Sequence, residues 1–156
     1  SFYSMEINRL QRNMLRPVSC IFIDMNGLKE VNDCLGHDAG DALLQRMGNI
    51  LNQLIHQTLY SASRIGGDEF VVLLPGTDEA ALHNCLQTLQ ELLLVDNQFY
   101  SSQKISLSIG HTTHQAGEHM EDMLKRADLL MYEQKRAYYL ENSRRKSAES
   151  EDSKSC

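Results

Sequence analysis

Long apolar runs, paired cysteines and an excess of positive charge are all missing from this 156-residue chain. No apolar stretch approaches the roughly 20 residues that a membrane-spanning helix needs. Cys20, Cys34, Cys85 and Cys156 form no C-x-x-C pair. Cys20 sits in an apolar run and Cys85 on an apolar helical stripe, so the cysteines read as core thiols of a reducing compartment, not a disulfide framework. The 15 basic residues are outnumbered by 21 acidic ones, for a net charge of −6. Affinity for nucleic acid comes mainly from neutralising phosphates, so no nucleic-acid partner is expected. A polyphosphate ligand would need local Lys or Arg, or a metal ion, to offset this field. No signal-peptide pattern is legible. The opening residues read as mid-domain helix, which leads us to expect a longer parent chain.

What is present is ordinary for a globular domain: 42% apolar and 23% charged residues, in a length that fits one domain with a real core. Ile7, Leu10 and Leu15 suggest a short first helix stopped near Pro17. The run "VSCIFID" (18–24) is short, apolar and β-rich, which predicts a buried central strand ending at Asp24. Residues 26–41 hold turn-formers and a helical turn or two, and apolar spacing from Asp38 to His56 predicts an amphipathic helix. Leu59 to Ile65 and Phe70 to Leu74 read as strands joined through Gly66-Gly67, a hairpin signal because such turns need positive φ. Thr77 is the expected cap of a helix carrying Leu82, Cys85, Leu86, Leu89, Leu92 and Leu93. "KISLSIG" (104–110) alternates as a half-buried strand with Ile105, Leu107 and Ile109 inward. A final helix is predicted from about Glu118 to Tyr139. The polar residues 141–156 are expected to be a disordered tail or linker. The order β-α-α-β-β-α-β-α matches the split βαβ, ferredoxin-like plan, an α+β fold with a mainly antiparallel sheet.

In that plan Asp24 ends one central strand and Asp68 sits in the hairpin beside another. Two carboxylates at one rim, open to solvent, suit Mg²⁺, which keeps several waters and commonly binds carboxylates plus substrate phosphates. Gly66 and Gly67 would let a flat ligand lie close to the backbone. A Gly-Gly turn followed by acids is equally compatible with a solvated hairpin tip.

Four ordered segments resemble one family. "GGDEF" at 66–70 is the signature of the GGDEF domain, the diguanylate cyclases. "DMNGLKEVNDCLGHDAGD" (24–41), "ISLSIG" (105–110) and "LKRADLLMYEQK" (124–135) resemble its other motifs in the right order. The resemblance covers about residues 5 to 140 and gives a domain of 1–140. It implies a nucleotidyl-cyclase palm whose β-hairpin carries the signature, and condensation of two GTP into cyclic di-GMP across a homodimer. It implies Mg²⁺, or Mn²⁺, held by Asp24, the Met25 carbonyl, Asp68 and Glu69, with Asp68 and Glu69 catalytic. Asn32 and Asp41 would read guanine. Lys29, the Gly27 and Leu28 amides and Lys135 would hold the outer phosphates, with Gly67 against the substrate. Such domains are cytoplasmic, including those of membrane-anchored parents, and are fused to sensory or output domains.

The chain also departs from the family. Tyr139 stands where members often carry Arg, so the phosphate grip is weaker or Arg136 substitutes. Asn26 replaces a frequent Asp. "QTLY" (57–60) replaces the RxxD product-inhibition motif, so no feedback through that site is expected. Arg64, which resembles a product-binding Arg, is expected to pair with a nearby acid. The family's D-x-LTGL-x-NR opening is missing. His111, His114 and His119 lack the spacing of a zinc site. The alternatives to an active cyclase are a catalytically weak or inactive GTP-binding regulatory domain, and a related cyclase making a mononucleotide.

Overall fold

The structure is a computed structural model that describes residues 16–149. The helix expected around Ile7, Leu10 and Leu15 lies outside the described residues. The elements are β1 (Ser19–Met25), α1 (Leu28–Leu35), α2 (His37–Ile55), β2 (Ser61–Arg64), β3 (Glu69–Leu74), α3 (Glu79–Phe99), β4 (Leu107–Thr113) and α4 (Met120–Ala148).

β1 is buried along its whole length because both of its faces are covered. Ile21, Ile23 and Met25 join Phe70, Val72 and Leu74 of β3 in a core closed by α2 and α3 through Leu43, Met47, Ile50, Leu82 and Leu89. Cys20 and Phe22 point the other way, with Val71 and Leu73, onto Met120, Met123, Leu124, Ala127 and Met131 of α4. The sheet order is β2-β3-β1-β4 with every pairing antiparallel. This is the ferredoxin-like order, and it makes β1 and β3 the central, adjacent strands that the apolar runs predict.

Several local expectations are corrected. β4 begins at Leu107, and its most buried positions are Ser108, Gly110 and Thr112, not the Ile and Leu positions. α4 crosses so closely that a Cβ at Gly110 would collide with the backbone of Ala127 and Met131. Small side chains are therefore required on that face. The α3 cap is Asp78, whose carboxylate accepts from the Ala81 N–H at 2.8 Å, while Thr77 is buried and donates to the Pro75 carbonyl. Gly66 and Gly67 are not among the positive-φ glycines. A wider loop closes the hairpin instead, with the Ile65 and Gly66 amides both donating to the Glu69 carbonyl.

α4 continues past residue 140 to Ala148. Its last turns are polar but rich in helix formers, with a Glu141–Arg145 i,i+4 pair and Arg145 and Lys146 complementing the helix dipole. Residues 150–156 of the expected tail lie outside the described residues. Cys20 and Cys85 are buried free thiols.

Candidate active site

Asp24 is the last but one residue of β1 and faces Glu69 of β3 on one side and Ser108 of β4 on the other. Asp68 directly precedes β3, and its carbonyl accepts from the Met25 N–H at 2.9 Å. Strand pairing thus brings acids from distant parts of the chain together. Asp24, Asp68 and Glu69 offer carboxylate oxygens that all lie within 4.8 Å of one another. Among the described residues no other trio of His, Cys, Asp and Glu does so.

Asp24 is fully buried, with 0% exposure. Its Oδ2 accepts from Lys135 Nζ at 3.0 Å, and its Oδ1 is buried without a partner. A buried carboxylate oxygen left unpaired is costly. Burial raises the Asp24 pKa, only partly offset by the Lys135 hydrogen bond, and the Asp68 charge adds to the rise. Glu69 is raised by burial and then by Asp24 and Asp68. Burial pulls Lys135 down, but its bond to Asp24 and the surrounding acids outweigh that and leave it raised. The cluster therefore holds more negative charge than its one lysine balances. Three hard oxygen donors, one of them orphaned, fit a divalent cation of the Mg²⁺ or Mn²⁺ type.

The flanking residues fall into two groups. Asn32 of α1 presses its side-chain oxygen on Gly40 of α2, where any Cβ would collide with it, and exposed Asp41 is the next residue. The expected base-reading pair is thus adjacent in space. Leu28 is buried and Lys29 exposed in the first turn of α1. A Cβ on Gly67 would meet open space, which leaves room for a ligand. Lys135, expected on the phosphates, pairs with Asp24 here. The Gly27 N–H, also expected on a phosphate, donates to the Tyr139 hydroxyl at 3.4 Å.

Sequence reasoning missed the frame behind these groups. Asn26 donates from Nδ2 to Ser106 and accepts at Oδ1 from Ser108, and its backbone N–H donates to the Ser106 carbonyl. The serines that interrupt an apolar strand were the available signal. Arg64 binds the Gly66 and Gly67 carbonyls, at 2.7–3.1 Å, and so braces the signature loop where an acid partner was expected. His114 meets the Glu118 carbonyl and His111 lies edge-on to His83.

An antiparallel ferredoxin-like sheet with three converging carboxylates between its central strands defines a palm domain of the nucleotidyl-cyclase class. The family described as "Diguanylate cyclase, GGDEF domain" matches residues 2–139. The chain belongs to that family. It is 34% identical to diguanylate cyclase DgcS of Shewanella oneidensis over 83% of this chain and 42% of the relative. A diguanylate cyclase of Vibrio cholerae is 28% identical over 80% of this chain and 39% of its own length. The solved active GGEEF domain of a diguanylate cyclase from Vibrio cholerae superposes with a TM-score of 0.70, at 27% identity over 83% of each chain. This chain thus spans less than half the length of those two curated relatives. No helix of the described residues is long and apolar enough to cross a membrane.

Proposed function

We propose that this domain condenses two GTP into cyclic di-GMP while facing a second copy of itself. The observation that carries the reading is the convergence of Asp24, Asp68 and Glu69 beside a buried, unpaired carboxylate oxygen. The product contains two identical phosphodiester links, so each of two domains presents one GTP. The 3′-hydroxyl oxygen of one GTP bonds to the α-phosphorus of the other. The bond from that phosphorus to the pyrophosphate oxygen breaks, and pyrophosphate leaves with the electron pair. Repetition in the opposite sense closes the ring and releases a second pyrophosphate.

The residues divide this work. The Asp68 carboxylate takes the 3′-hydroxyl proton, with Glu69 beside it. Asp24, Asp68, Glu69 and the Met25 carbonyl would hold Mg²⁺ or Mn²⁺. When bound, the cation neutralises phosphate charge and acidifies the attacking hydroxyl. Asp41 accepts from the ring N–H and exocyclic amine of guanine, a pair adenine does not offer, and Asn32 supports it. Lys29 and the α1 N-terminal backbone steer the phosphates, and Lys135 balances Asp24. A GTP substrate places the domain in the cytoplasm, whatever further domains the parent chain carries. Residues 57–60 lack the acid of a product-binding motif, so cyclic di-GMP should not inhibit there.

One observation favours a second reading, a GTP-binding regulatory domain without turnover: the Gly27 amide is already engaged by Tyr139. Incubating this chain, fused to a dimerising coiled coil, with GTP and Mg²⁺ and separating products by chromatography tests both. Cyclic di-GMP is the expected product. GTP binding with no product would select the regulatory reading, and a cyclic mononucleotide would refute the condensation.

A further inference from the structure

We propose that Asn26 is a positioning residue: it draws the Ser108 hydroxyl away from Asp24 and so keeps one carboxylate oxygen free for a cation. The inference rests on the reading of the Asp24, Asp68 and Glu69 cluster as a cation site. The two oxygens of Asp24 are treated differently. Oδ2 accepts from Lys135 Nζ at 3.0 Å, and Oδ1 is buried with no partner among the described residues. A buried carboxylate oxygen takes a donor within reach, because leaving it bare is costly. The residues beside Asp24 in the sheet are Glu69 and Ser108. An ionised Glu69 only accepts, so Ser108 is the flanking side chain able to donate.

Ser108 stands where it could do so. Directly opposed residues of antiparallel strands share a face of the sheet, with Cβ atoms about 4.5–5.5 Å apart. Asp24 and Ser108 are such a pair, and both are closed to solvent. The hydroxyl carries a single proton, however, and donates it to Asn26 Oδ1 at 2.7 Å. Asn26 is fixed for that role. Its Nδ2 donates to Ser106 Oγ at 3.1 Å, and its backbone N–H donates to the Ser106 carbonyl at 2.8 Å. The helix is fixed at Lys135 as well, since the neighbouring Gln134 accepts from the Ile109 N–H at 2.9 Å. One strand, β4, thus anchors the partner of the occupied oxygen and holds a donor off the free one. Without the Asn26 amide, a turn about one χ angle brings the hydroxyl toward Asp24. A cation would then have to displace a charge-assisted hydrogen bond.

The test is a double-mutant cycle on the 156-residue chain, read as Mn²⁺ affinity by paramagnetic resonance with a non-hydrolysable GTP analogue present. Asn26→Ala should weaken Mn²⁺ binding about tenfold, the scale of a hydrogen bond to a charged group. Adding Ser108→Ala removes the competitor and should restore binding to within about threefold of wild type. Ser108→Ala alone should stay within about twofold. In metal-free protein the same addition should lower the urea midpoint of Asn26→Ala, because it deletes the new Ser108–Asp24 bond. A purely structural role would lower binding and stability together, whereas positioning moves them in opposite directions. Asn26→Ser, whose oxygen stops one bond short of the amide oxygen, gives the same comparison should Asn26→Ala fail to fold. Double-variant binding as weak as that of Asn26→Ala, or an equal loss in Ser108→Ala alone, would overturn the inference. Wild-type binding that Asn26→Ala leaves intact would sink this inference alone. Wild-type protein that binds no Mn²⁺ with the analogue would sink the cation reading with it.

Discussion

Near the start of α4, Arg126 grips Glu118 with two hydrogen bonds of 2.6 and 2.8 Å and gives a third to the Thr113 carbonyl. Further along the same helix, Lys135 gives Asp24 a single bond of 3.0 Å. The acid in the first pair is 12% exposed and satisfied, whereas the acid in the second is 0% exposed and has an oxygen with no partner. The pKa directions divide in the same way. Glu118 is held below its ordinary value, first by the Arg126 hydrogen bond, whereas burial lifts Asp24 above its own despite the lysine. The better-solvated pair is the complete one. A buried ion pair is weak evidence for stability, and an incomplete one beside two more carboxylates is better explained by a ligand that completes it. The Arg126 pair fastens α4 to the end of β4, and the Lys135 pair lies at the carboxylate cluster where a cation is proposed.

Variants should separate these roles. Asp68→Asn should have the largest effect, lowering cyclic di-GMP formation by about a thousandfold or more, while its circular dichroism and melting temperature stay near wild type. Loss of both activity and fold would make Asp68 a structural residue. Lys135→Met strips the buried Asp24 of its counter-charge and should cost about 2 kcal/mol in the metal-free protein. Urea unfolding with and without Mn²⁺ should show this variant gaining more from the cation than wild type does. Arg126→Met should cost about 1 kcal/mol, a melting-temperature drop of about 2–4 °C, with no such cation-dependent recovery. Equal behaviour of the two variants toward Mn²⁺ would erase the distinction.

The smallest effects are in pH dependence, and they carry opposite signs. Glu118 is depressed on folding, so its stabilisation is present above the ordinary value of 4.5 and is lost as pH falls through the folded value. The deficit of Arg126→Met should shrink in that range. Glu69 is raised on folding, so its favourable contribution is present below 4.5 and is lost as pH rises through the raised value. Glu69→Gln should therefore match wild type at low pH and become the more stable protein above it, by about 0.5–1 kcal/mol without metal. Thermal melts across a pH series would show the two differences moving apart.

The two ends of α4 also differ in how far the sequence reveals them. The apolar run of β1 and the periodicity of α2 and α3 give the core because burial leaves a mark at every second or fourth residue. The carboxylate cluster is legible because strand ends put Asp24 and Asp68 at one rim. Tight backbone approach leaves a fainter mark: Ser108, Gly110 and Thr112 look like the solvent side of a strand, and only the close crossing of α4 shows why they must be small. The expected solvated tail is helical to Ala148 because a polar composition of good helix formers does not by itself distinguish disorder from an exposed helix. Lys135 reads as a phosphate cation because the sequence cannot show that, without other ligands, the nearest negative charge is Asp24. Tyr139 is visible as a departure, but its bond to Gly27 arises from the docking of α4 on the β1–α1 turn.

Mn²⁺ paramagnetic resonance on the purified chain with a non-hydrolysable GTP analogue is the most direct test of the carboxylate cluster as a cation site. Wild type should quench the free Mn²⁺ signal stoichiometrically with the analogue, and Asp24→Asn and Asp68→Asn should each weaken that binding at least about tenfold. Equal quenching by wild type and both variants would place the cation elsewhere and contradict the account.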